Sequence, residues 1–150
     1  LIVKGKENSY YDLFRNRVIF PIFDARDRVM GFGARVMDET LPKYINSPET
    51  AVYKKSQHLY GLNFAKADIK EKNFAVITEG YLDVITCHQY GVNNAIASLG
   101  TALTTDQIRL LKRYTHNVVM LYDADQAGEM ASLRGFDLFL EEGMNVKYQP

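Results

Sequence analysis

Phe74-Ala75-Val76-Ile77-Thr78 runs into Glu79-Gly80, and Val118-Val119-Met120-Leu121-Tyr122 runs into Asp123-Ala124-Asp125. Neither apolar run alternates with polar residues, so each reads as a strand buried on both faces. The sequence around them continues the pattern. Tyr81 to Tyr90 reads as a helix closed by Gly91, Ala95 to Leu99 as a strand, and Thr105 to Tyr114 as a helix capped by Thr104 or Thr105. Ala127 to Glu142 reads as a helix ended by Gly143, after which Val146 opens another strand. Strands alternating with helices predict an α/β fold, a parallel sheet flanked by helices. Such sheets bind ligands at the carboxyl ends of their strands, where Glu79, Asp123 and Asp125 stand.

The sequence upstream has a different grammar. Arg17 to Phe23 is β-branched and aromatic, a strand in which Pro21 demands an edge or a bulge. Asp24 to Arg28 is a polar turn, and Val29 to Val36 a returning strand whose Gly31 and Gly33 suggest close backbone approach. Residues 38–50 read as loop, and Asn63 to Lys72 as a short helix capped by Asn63. The expectation is a small α+β lobe over 1–72, a boundary near 70–73, and the parallel sheet over 73–150.

Charge divides at the same place. Residues 1–72 hold 13 Lys and Arg against 9 Asp and Glu, net +4, and residues 73–150 hold 5 against 9, net −4. A basic half followed by an acidic half suits a chain that holds a polyanion and gathers divalent cations. With 47% hydrophobic residues a packed core is expected. The single Cys87 excludes an internal disulfide and fits a reducing cytoplasm. One Cys and three scattered His exclude a Cys/His zinc site within these residues. No apolar run approaches the roughly 20 residues a bilayer requires, so no membrane partner is expected. Neither terminus reads as a natural end, and a piece of a larger protein is expected.

Asp123 and Asp125 are two apart, so an extended turn directs both into one crevice, and Asp83 follows Glu79 by four residues on one helix face. Carboxylates converging there repel one another unless a cation joins them. Hard ions such as Mg²⁺ take oxygen ligands and keep waters that phosphates can replace. Helix capping is the alternative use for the same acids.

Glu79-Gly80-Tyr81-Leu82-Asp83-Val84 and Tyr122-Asp123-Ala124-Asp125-Gln126-Ala127-Gly128 together resemble the Toprim domain of bacterial primases. So does Ala97-Ser98-Leu99-Gly100-Thr101-Ala102-Leu103-Thr104 between them. Phe14 to Ile22, Gly31 to Arg35, Pro42 to Thr50 and Leu59 to Leu62 are similar to the basic subdomain of the same enzymes, with Ala34 where the family commonly has a second glycine. The resemblance runs from about Tyr10 to Lys147.

It implies a DNA-templated RNA polymerase that makes short primers on single-stranded DNA by Mg²⁺-dependent nucleotidyl transfer, with Mn²⁺ as a substitute. Glu79, Asp83, Asp123 and Asp125 would be catalytic, with Glu79, Asp123 and Asp125 on the metal. Arg15, Arg17, Arg35 and Lys43 would neutralise template or triphosphate oxygens, and Lys54 falls where the family places basic groups. Tyr44 would stack on a base, and Asn46 would bind nucleotide or hold its loop. The implied partners are single-stranded DNA, ribonucleoside triphosphates, a replicative helicase bound through another region, and a single-stranded-DNA-binding protein, all at the replication fork in the cytoplasm. Zinc is implied only in a further domain outside these residues. Other Toprim enzymes (topoisomerases or nucleases), a primase–helicase, and a non-catalytic nucleic-acid-binding module remain as alternatives.

Overall fold

The computed structural model describes residues 1–100, 102–122 and 126–149, with the side chains of 126–133 and 148–149 left out. The first part is antiparallel. Strand β1 (Ile2–Lys4) pairs with β2 (Tyr10–Asp12) in a hairpin. Strands β3 (Arg17–Phe23), β4 (Val29–Val36) and β5 (Tyr44–Asn46) form a three-stranded sheet in the order β3-β4-β5. Pro21 lies in β3, which is an edge strand, and the register slips between Ile22 and Phe23, so both tolerances that proline needs are present.

β5 departs from the loop expected over 38–50. Three residues flanked by prolines carry no period to read. They become a strand because β4 offers its free edge, pairing Gly33 with Asn46 and Arg35 with Tyr44. The Arg17 guanidinium holds the approach to β5 by donating to the Pro42 and Lys43 carbonyls at 2.9 and 3.3 Å.

Helix α1 (Leu62–Lys72) begins differently from the expected Asn63 cap. Gly61 is the N-cap, with φ +79°, and makes no side-chain bond. Asn63 is buried and donates instead to the Asp27 carboxylate in the β3–β4 turn, at 3.0 Å. Lys66 donates to the Ala25 carbonyl of the same turn at 2.8 Å. A polar side chain can leave its cap for a distant acceptor because φ > 0 at Gly61 already ends the preceding extended segment. Leu62, Ala65 and Ile69 of α1 share one apolar cluster with the sheet that follows.

That sheet is parallel, in the order β7-β6-β8-β9. Its strands are β6 (Ala75–Thr78), β7 (Ala95–Ala97), β8 (Asn117–Leu121) and β9 (Asn145–Gln149). They alternate with α2 (Tyr81–Gln89), α3 (Thr105–Leu111) and α4 (Gln126–Glu141). All four residues of β6 are buried, as an unalternating central strand requires. The α/β expectation holds, with an antiparallel β lobe in front of the parallel sheet. The chain leaves β6 toward β7 and leaves β8 toward β9, in opposite directions. The crevice between their carboxyl ends is therefore a topological switch point. Among the described residues no helix is long and apolar enough to cross a membrane.

Candidate active site

Glu79 follows β6 directly, at that switch point. Gly80 is the N-cap of α2, and its N–H donates to Asp83 Oδ2 at 2.8 Å. One strand, one turn and one capping carboxylate thus set two acids at the mouth of the crevice. Both are exposed, and both line a cavity of about 750 Å³. Burial first, and then the Glu79 charge, push the phenol of Tyr122 up to about 12. Asp123 and Asp125 follow β8 in the sequence and lie outside the described residues. Among the described residues no group of three or more His, Cys, Asp or Glu could hold a metal ion.

The opposite wall comes from the antiparallel lobe and the segment leading to α1: Tyr44, Ile45, Asn46 and Lys55. Ser98 and Gly100, after β7, complete it. Lys54 is exposed and off this wall, while its neighbour Lys55 is on it. Arg35 lies over the Tyr44 ring at 5.8 Å and donates to the Val36 carbonyl, while its Nε is buried with no acceptor among the described residues. Lys43 is exposed at the start of β5.

Arg15 and Arg17 stand apart from this wall. They line a second cavity, of about 470 Å³, with Asn16, Asp38 and Pro42, and Arg15 lies over the Tyr11 ring at 5.1 Å. Ile45 borders both cavities, so β5 is the ridge between them.

Tyr81 joins the two lobes, a role that sequence reasoning missed. It is 5% exposed. Its ring stacks on Phe20 at 5.3 Å and meets Tyr60 edge-on at 4.6 Å. Its hydroxyl donates to Asn46 Oδ1, and Asn46 Nδ2 donates to the Leu99 carbonyl at 3.1 Å. Asn46 is thereby committed in part to holding the lobes together. Burial raises the Tyr81 phenol above its ordinary value, so it stays a protonated donor. Room for the ring comes from Gly33, where an added Cβ would sit 2.6 Å from it. Gly31 likewise makes room for the fully buried Tyr53. The signal was in the sequence as two glycines spaced to face one side of a strand.

The DNA primase catalytic core, N-terminal domain family matches residues 1–66, and the Toprim-like family matches residues 76–149. The DNA primase of Clostridium acetobutylicum is 58% identical over 147 residues, covering 97% of this chain and 24% of that protein. A solved structure of the Aquifex aeolicus primase, with its zinc-binding and RNA polymerase domains, matches with a TM-score of 0.93 at 44% identity, over 98% of this chain and 37% of that one. A primase catalytic domain solved bound to single-stranded DNA matches with a TM-score of 0.89 at 45% identity, over 99% of this chain and 50% of that one. The chain spans about a quarter of the length of the curated relatives it matches. Two adjoining family matches, and a fold that follows solved primases over nearly every residue, make this chain a member of the bacterial DNA primase family.

Proposed function

We propose that the chain carries the nucleotide- and metal-handling walls of a primase active site. In this reading a ribonucleotide 3′-hydroxyl attacks the α-phosphate of the next ribonucleoside triphosphate, on a single-stranded DNA template. One observation carries it: a single cavity at the carboxyl ends of a parallel sheet is lined both by Glu79 and Asp83 and by Lys55, Tyr44 and Asn46. Acids and a cation in one cavity are what a phosphate-transferring site needs, since the acids suit a divalent ion and the cation the phosphate charge.

The donor set fits Mg²⁺, or Mn²⁺ in its place. Glu79 and Asp83 are exposed carboxylates, and only one Asp83 oxygen is spent on the Gly80 N–H. Glu79, Asp123 and Asp125 would hold the ion, with Asp83 in support. The bound ion would supply neutralising charge to the triphosphate. Lys55 would contact phosphate, and Tyr44 would stack on a base, a contact worth about 1–3 kcal/mol.

Template would run over Arg15, Arg17, Lys43 and Arg35 and cross the β5 ridge to the acids. The primase domain solved with single-stranded DNA supports that choice of ligand. The division into a template-holding part at 1–72 and a metal-holding part at 73–150 belongs to this reading, as do a place at the replication fork, a helicase and a single-stranded-DNA-binding protein as partners.

The test is a Mn²⁺ titration followed by paramagnetic NMR line broadening. Broadening should be confined to the surroundings of Glu79 and Asp83 and should weaken in Glu79→Gln. Diffuse broadening, or none, would count against a metal site. A non-catalytic binding module would keep its DNA affinity in Asp123→Asn with Asp125→Asn and show no localised broadening.

A further inference from the structure

Gln107 has no exposed surface, although it lies in the first turn of a short helix. Its amide is fully committed. Oε1 accepts the Thr104 N–H at 3.1 Å, closing the cap of α3. Nε2 donates twice, to the carbonyls of Lys55 at 3.0 Å and His58 at 2.8 Å. Thr104 adds a third bond, its hydroxyl donating to the Ser56 carbonyl at 2.6 Å. A capping Gln needs only to reach back to its own N-cap. Here both donor hydrogens leave the helix for a turn some fifty residues earlier.

That turn carries Lys55, which lines the same cavity as Glu79 and Asp83. The Lys55 N–H is held as well, donating to Glu49 Oε1 at 3.0 Å. A lysine otherwise free along four carbons is thus anchored at both of its backbone groups. Anchoring its root limits the volume the ammonium searches, which is pre-organisation for an anionic ligand.

We propose that Gln107 is a positioning residue that acts through Lys55, setting its ammonium for a triphosphate in the cavity. The proposal rests on the reading of that cavity as a nucleotide site. The test is a double-mutant cycle on ATP affinity. Mg-ATP is titrated calorimetrically into the 150-residue chain, into Gln107→Leu and Lys55→Ala, and into the double variant. Gln107→Leu and Lys55→Ala should each weaken binding about tenfold, the scale of one charge-assisted hydrogen bond. The double variant should bind no worse than Lys55→Ala. A merely structural role for Gln107 would instead cost the same factor in both backgrounds, which overturns the proposal.

Glu49→Ala offers the same cycle at an exposed position, in case Gln107→Leu does not fold. It should weaken binding by about threefold, with no further loss in the Lys55→Ala background, and where Gln107→Leu does not fold, the absence of an effect here overturns the proposal. If Lys55→Ala binds ATP as the parent chain does, the reading of the cavity fails and takes the proposal with it. If Lys55→Ala binds weakly while Gln107→Leu and Glu49→Ala bind normally, the cavity reading stands and only the positioning role falls.

Discussion

Glu79 and Asp83 reach the cavity within one strand, one turn and one helix start, so the acidic wall is local in sequence. Lys55, Tyr44 and Asn46 reach it from segments held by partners 35 to 53 residues away: Asn46 by Tyr81 and Leu99, and Lys55 by Gln107. The acidic wall should therefore survive damage to lobe packing, whereas the opposite wall should not. Its geometry passes through Tyr81, packed between Phe20, Tyr60 and the backbone of Gly33.

The harshest way to break this contrast is Tyr81→Ala. Removing a buried aromatic ring from the cluster that joins both lobes should cost about 3–5 kcal/mol, read as a lower urea midpoint. Tyr81→Phe keeps the ring and loses only the bond to Asn46, so it should cost about 1 kcal/mol. If the alanine variant costs no more than the phenylalanine one, the ring is not what joins the lobes.

What the sequence revealed follows the same division. The buried strands at 75–78 and 117–121 and the helices after them were legible, because each is decided within a dozen residues, and the cap of α3 was narrowed to Thr104 or Thr105. Gly31 and Gly33 announced a close approach but could not say to what. β5 left no trace because three residues between prolines show no periodicity, and its pairing depends on β4. Asn63 looked like a cap because capping is a local rule, yet its amide answers to Asp27 across the chain. The choice between Lys54 and Lys55 was equally invisible, since only Lys55 lines the cavity and its turn is held by bonds from Thr104 and Gln107, about fifty residues on.

Glycine substitutions sharpen the contrast further. At Gly33 an added methyl would overlap the Tyr81 ring, 2.6 Å away, with Phe20 and Tyr60 leaving that ring no room to retreat. Gly33→Ala should cost about 1–3 kcal/mol. At Gly80 the nearest atom is Asp83 Oδ2 at 3.5 Å, an ordinary contact, and φ is −141°. Gly80→Ala should therefore leave the urea midpoint within about 0.5 kcal/mol of the parent. Equal losses at the two sites would mean that the acidic wall is as dependent on packing as the other.

A pH-dependent effect concerns the turn that docks the antiparallel sheet onto α1. Burial alone would raise the Asp24 carboxyl. The backbone N–H groups of Arg28 and Arg26, at 3.0 and 2.8 Å, and the Arg28 guanidinium outweigh it and bring its pKa down to about 2. A carboxyl whose folded pKa lies below its unfolded value of about 3.9 stabilises the fold above that value, and loses this contribution as pH falls through the folded one. Stability of the parent chain relative to Asp24→Asn should thus be constant above about pH 5 and shrink between about pH 4 and 2. Urea midpoints measured for both chains across that range read the difference directly, with carboxyls remote from Asp24 cancelling and only its neighbour Asp27 coupled to it. A difference that stays flat down to pH 2 would mean that the turn is held by Asp27, Asn63 and Lys66 alone, and that the docking of the antiparallel lobe on α1 does not depend on the ionised Asp24.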